Sequence, residues 1–172
     1  MPSSRVLISS QTLGSAAASV TFSAIPSTYT DLVVKASLRT DQSNPTASFY
    51  IRFNGSSATN YSRTSLYTTN ASTAGSFRES NVNGMEYGVS NADTATSNTF
   101  ANFEMYIPNY AGSTNKPSYA FGVAENNATS PIFIQVSAGL RSVTDAITSI
   151  GLVPSGNWLS GSSFYLYGIK NS

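Results

Sequence analysis

"DLVVKASLR", residues 31–39, places Leu32, Val34, Ala36 and Leu38 at every second position, with Val33, Lys35, Ser37 and Arg39 between them. An extended chain sends successive side chains to opposite faces, so this spacing predicts a half-buried antiparallel strand rather than a helix. Upstream, "RVLISSQ" (5–11) and "ASVTFSAI" (18–25) read the same way, separated by small residues around Gly14, and Pro26 closes the second. The three are predicted to form an opening meander.

Downstream, "SFYIRFNG" (48–55) directs Phe49, Ile51 and Phe53 to one side and Tyr50 and Arg52 to the other, and Asn54-Gly55 marks the turn that ends it. The Ser-, Thr- and Asn-rich stretch that follows is predicted to hold two or three short edge strands, around Tyr61 to Tyr67, Phe77 to Val82 and Met85 to Val89. "TFANFEMYIPNY" (99–110), "PSYAFGVAE" (117–125), "PIFIQVSAGLR" (131–141), "AITSIGLVP" (146–154) and "SSFYLYGIK" (162–170) are further short apolar-periodic runs bounded by Gly, Pro, Asn or Ser. No segment carries helical periodicity. About eight to ten strands at this spacing predict an all-β protein, an antiparallel β-sandwich of jelly-roll type, with residues 1–172 as a single domain. The shared "SFY" of residues 48–50 and 163–165 is too short to define an internal repeat.

Composition narrows function by exclusion. The 172 residues are 40% hydrophobic and only 10% charged, with nine basic and eight acidic residues for a formal charge of +1. That balance gives no electrostatic footprint for nucleic acid or an anionic membrane surface. The apolar group Val6-Leu7-Ile8 is too short for membrane insertion or a signal core. With no Cys and no His, disulfides, thiol nucleophiles, imidazole bases and His or Cys metal sites are all absent. No catalytic, metal-binding or cofactor-binding residue is assigned. The eight carboxylates, Asp31, Asp41, Glu79, Glu86, Asp93, Glu104, Glu125 and Asp145, include no pair marked by sequence as the two a glycosidase needs. Glu104, in a strand with aromatic residues on both faces, is expected to be charge-paired. "NADTATSN" (91–98) lacks the Gly and the closing Glu of a calcium loop and reads as a turn. The N-x-S/T sequons at Asn54, Asn60, Asn70 and Asn127 follow from a composition dense in these residues.

Aromatic residues are the more informative class: ten Tyr, nine Phe and one Trp. Tyr is enriched where an apolar body and a polar tip both find partners. Tyr50, Tyr106, Tyr165 and Tyr167 fall opposite the more apolar face of their strands. Tyr50, Arg52, Tyr165 and Tyr167 are therefore candidates for a subunit or partner contact. Trp158, in "PSGNWLSG", is a further candidate, either as an exposed anchor or as a plug over one end of the sandwich.

The segments "TLGSAAASVTFSAIPSTYTDLVVKASLRT", "ASFYIRFNGSSATNYSR", "MYIPNYAGSTNKPSY", "AENNATSPI" and "AITSIGLVPSGNWLSGSSFYLYGIK" together, in this order, resemble tailed-bacteriophage virion proteins of environmental and cyanobacterial phages. The ordered set "YIPNYAGS", "NKP", "ENNAT" and "LYGIK" carries the resemblance. It implies a non-enzymatic structural protein made in the host cytoplasm and displayed on the particle surface, as a capsid decoration, a head fibre or a fibre tip. The chain begins almost at once with a strand, and so reads as the globular unit without a fibre shaft. A homotrimer in contact with other phage capsid or tail proteins is expected. A receptor-binding module for host surface glycan and a two-carboxylate polysaccharide depolymerase are the competing expectations.

Overall fold

In a computed structural model that describes residues 4–70, 73–127 and 133–170, the chain is all β, with twelve strands and no helix among the described residues. The strands are β1 (Ser4–Thr12), β2 (Val20–Phe22), β3 (Asp31–Leu38), β4 (Thr46–Phe53), β5 (Tyr61–Thr69), β6 (Thr73–Val82), β7 (Met85–Asn91), β8 (Ala101–Pro108), β9 (Lys116–Ala124), β10 (Phe133–Arg141), β11 (Ile150–Pro154) and β12 (Ser163–Lys170). Pro131 and Ile132, and the sequons that begin at Asn70 and Asn127, extend outside the described residues.

The strands form two antiparallel sheets, ordered β1-β12-β3-β8-β9-β10-β5-β6 and β2-β11-β4-β7. Set aside the hairpins β5–β6 and β9–β10, and the order becomes 1-12-3-8 facing 2-11-4-7. Each outgoing strand then pairs with a returning one, while consecutive strands switch sheets except at the turning point, where β4 pairs with β7. That is the double winding of a jelly roll, and the two hairpins extend one of its sheets to twice the width of the other.

Three sequence expectations are corrected. The opening strands do not form a meander: β1 pairs with β12, β2 with β11, and β3 with β12 and β8. Local pairing would have put the apolar faces of β2 and β3 in one layer with nothing opposite, whereas alternation between sheets lets them meet. There are also more strands than eight to ten, and of the three middle strands β6 and β7 do lie at sheet edges, but not all are short or at an edge. β5 and β6 run for 9 and 10 residues, and β5 is interior, hydrogen-bonded to β10 and β6.

The core lies where the sheets overlap. Leu32, Val34, Ala36 and Leu38 of β3, Phe103, Met105 and Ile107 of β8, and Phe164 and Leu166 of β12 meet Phe49, Ile51 and Phe53 of β4, Ile150 and Leu152 of β11, and Phe22 of β2. Phe49 touches Phe103 edge-on at 5.0 Å between centroids. Trp158 completes the group, edge-on to Phe49 and to Phe164 at 5.5 Å each.

One close approach fixes the rim. Gly168 lies against Tyr29, and a Cβ at Gly168 would stand 2.3 Å from the base of that ring. Gly168→Ala is expected to lower stability by about 1–3 kcal/mol through overpacking. Gly14→Ala, with no atom within 4 Å of the added carbon, should leave stability within about 0.5 kcal/mol. Urea denaturation of both variants checks the pair.

Candidate functional site

Alternation in β9, β10 and β5 is inverted relative to the core strands. β9 turns Ser118, Ala120 and Ala124 inward and leaves Tyr119 and Phe121 exposed. β10 buries Gln135 and Ser137 while exposing Ile134 and Val136, and β5 buries Arg63 and Ser65 while exposing Leu66. Register aligns these side chains across the sheet. Val136 stands between Phe121 and Leu66, and Phe121 stands opposite Glu104, which faces Lys35 and then Tyr165. Leu66, Val136 and Phe121 keep 64%, 50% and 46% of their surface in solvent. A contiguous apolar patch of this kind on a sheet face marks an interaction surface.

Tyrosines extend the patch. Tyr165 and Tyr167 lie 6.4 Å apart and nearly parallel, and Tyr106 packs on Tyr119 at 5.4 Å. Tyr165 and Tyr167 line, with Lys35, Glu104 and Phe121, a shallow depression of about 450 Å³. Glu104 is paired, to Lys35 at 2.7 Å and Arg5 at 3.8 Å. Tyr106 donates to Asp31 Oδ2 at 2.8 Å. Desolvation, and then the adjacent carboxylate of Asp31, push its phenol up to about 12.

The inner side of the wide sheet holds a second feature, a cleft of about 580 Å³ between the edge formed by β4 and β7 and the wing formed by β5, β6 and β10. Tyr67, Phe77 and Phe133 line it together with Arg63, Arg78, Glu79, Glu86 and Gln135. Arg63 organises the polar wall. Its Nε donates to Glu79 Oε2 at 2.8 Å, its Nη1 to the Glu86 carbonyl, and its Nη2 meets Glu86 Oε2 at 3.3 Å. The guanidinium also lies 4.4 Å from the centre of the Phe77 ring. Beneath it, Gln135 Nε2 donates to Ser65 Oγ and Ser137 Oγ at 3.2 and 2.9 Å.

Of the residues singled out from sequence, Tyr165 and Tyr167 fall on the patterned outer face, and Tyr50 and Arg52 do not join them. Those two belong to the small sheet and are half-buried by their own chain: Arg52 Nε donates to the Asn83 carbonyl at 3.2 Å, and Gly84 packs against both side chains. Trp158 is corrected as a surface contact. The ring is fully enclosed, and its Nε1 donates to the Leu152 carbonyl at 3.2 Å. Enclosure satisfies its one polar atom and leaves nothing to present. Phe121, Val136 and Leu66 escaped the sequence reading, although "PSYAFGVAE" carries a signal: Tyr119, Phe121 and Val123 alternate with residues too small to fill a core.

No group of three or more Asp or Glu that could hold a metal occurs among the described residues. The loop 91–98 does enclose a cation, which is the Arg39 guanidinium. Its Nη1 donates to the carbonyls of Thr96 and Thr99 at 2.8 and 2.9 Å, and its Nη2 to those of Asp93 and Ala95 at 3.2 and 3.0 Å.

No family model matches the sequence, and no curated protein matches it. Among solved structures, the Caenorhabditis elegans galectin LEC-6 aligns over 94% of this chain and 96% of its own, at 7% identity and a TM-score of 0.34. So loose a likeness carries nothing about ligand or partner.

The Tyr106 environment is directly testable. Ultraviolet titration should find one tyrosine ionising near 12, and Asp31→Asn should lower that value without returning it to 10.0, since the desolvation stays. Because the folded value is raised, the associated stability is complete below pH 10 and is lost as pH rises from 10 to 12. Ionisation at the ordinary tyrosine value would contradict the geometry.

Proposed function

We propose that the chain is a non-enzymatic structural protein, a homotrimer displayed on the surface of a tailed-bacteriophage particle as a capsid decoration or head fibre. The observation that carries the association is the rank Phe121–Val136–Leu66, exposed on a sheet face with few charges. Its apolar residues sit on three adjacent strands, about 4.8 Å apart, and form a flat strip that a second sheet can pack against at about 10 Å. The occupant proposed for it is another copy of this chain: in a closed trimer each strip packs against a neighbouring copy around the three-fold axis. Placement on a virion is supported by the ordered segments ending in "LYGIK", which resemble phage virion proteins over nearly the whole chain.

Sedimentation at micromolar concentration tests the association. The native chain should run at three times its 18.1 kDa mass. Val136→Asp combined with Leu66→Asp should run as a monomer with an unchanged circular dichroism spectrum, because both side chains point to solvent. A native monomer at that concentration would remove the support for this reading. Gold-labelled electron microscopy of particles tests placement: labels across the capsid are expected, and labels confined to the tail would overturn the decoration role.

A further inference from the structure

The wing cleft contributes nothing to the proposed subunit contact, and its construction is that of a binding site. Three features converge there. The first is an aromatic floor: Tyr67 and Phe133 lie nearly parallel, 16° apart with centroids at 5.8 Å, and Phe77 flanks Tyr67 at the same distance. Gly75 stands directly across from Tyr67 in the β5–β6 ladder. The tyrosine ring covers it so closely that a Cβ at Gly75 would lie 2.6 Å from Cζ. The absence of a side chain is what lets that ring lie flat over the strand.

The second feature is a fixed polar wall. Glu79 and Glu86 are both held by Arg63, which is itself 5% exposed. Each carboxylate has more acceptor positions than this contact uses, and those positions are held in place before any ligand arrives. The third is charge balance. Arg63 stands against Glu79 and Glu86, and the Arg78 guanidinium is turned to the outer face, where it donates to Thr64 Oγ1 at 3.3 Å, so the lining carries no unpaired cation.

These features select a ligand class. A phosphate- or sulfate-bearing ligand would meet two carboxylates already paired to the cation it needs. A purely aromatic ligand would use the floor and leave the polar wall unmatched. A neutral sugar ring presents an apolar C–H face for Tyr67 and Phe133 and a rim of hydroxyls that both donate and accept. We infer that the cleft lined by Tyr67, Phe77, Phe133, Arg63, Glu79 and Glu86 binds neutral oligosaccharide, with a sugar ring stacked on Tyr67.

The inference is tested by titrating isotope-labelled full chain with uncharged gluco- and galacto-oligosaccharides of two to six units, with a sulfated oligosaccharide and free tryptophan as comparisons. Millimolar or tighter binding of at least one neutral sugar is expected, with amide shifts centred on residues 63–67, 75–79 and 133–135. Tyr67→Ala should weaken it at least tenfold. Gly75→Val keeps every aromatic residue but displaces the Tyr67 ring, and should do the same; amide spectra confirm that each variant is folded. The idea is overturned if no neutral sugar shifts the cleft at 10 mM, if the sulfated sugar or tryptophan binds there more tightly, or if both variants bind as the native chain does. Val136→Asp with Leu66→Asp should bind unchanged, so failure here and failure of the association are read separately.

Discussion

A four-stranded sheet covers only half of an eight-stranded one, and this mismatch in width organises the molecule. Where β2, β11 and β4 lie over β12, β3 and β8, both inner faces are apolar, while β7 lies over β9 and β10 and reaches β5. At this margin of the second layer the wide sheet buries polar residues instead: Arg63, Ser65, Gln135 and Ser137 are screened from water, with Arg63 bonded to Glu86 of β7. Buried polar groups persist only when hydrogen-bonded. These satisfy one another: Ser65 Oγ and Ser137 Oγ lie 2.7 Å apart, and Gln135 joins both. The apolar residues of β5, β9 and β10 are accordingly on the opposite face, so the patch and the cleft arise from one cause.

The same mismatch sets what could be read in advance. In β3, β4 and β8 the larger apolar set is the inner one, and alternation alone gave strand, face and core. In β9 and β10 the period of two is equally clear, but it does not say which set faces in. That depends on what lies opposite, and the opposing layer is assembled from β4 and β7, residues 46–91. Pairing was less legible still, because each strand's neighbours come from distant sequence, as with β3 between β12 and β8. Trp158 left two readings open, anchor or plug, for a related reason, and its ring proves to be the enclosed one. Its loop has the Gly and Ser content of an exposed turn, while isolated bridges to Ala17 and Thr40 draw it under the rim.

The segments that carry the phage resemblance turn out to close loops. In "YIPNYAGS", the Asn109 N–H donates to Asp31 Oδ1 at 2.9 Å and the residue takes a left-handed conformation, φ 46°. Lys116 of "NKP" is fully buried, its Nζ donating to the carbonyls of Gly112, Thr114 and Thr144, and desolvation lowers its pKa. Glu125 of "ENNAT" accepts from the Asn126 and Asn127 N–H groups at 3.0 and 2.7 Å. Gly168 of "LYGIK" admits Tyr29. Two other residues of these segments, Tyr106 and Tyr167, lie on the outer face.

The pairing of β1 with β12 has a mechanical consequence. Ser4 is opposite Lys170, and the ladder runs from there to Thr12 opposite Ser163, with a bulge between Leu7 and Ser9. A load applied between Ser4 and Lys170 acts along the inter-strand hydrogen bonds, which lie perpendicular to the strands, so they open one after another from that end. β1, at an edge and largely exposed, peels away at low force while the interlocked interior stays intact. Single-molecule extension would record this as a small early step well before global unfolding, a compliant joint at one corner of an otherwise stiff body.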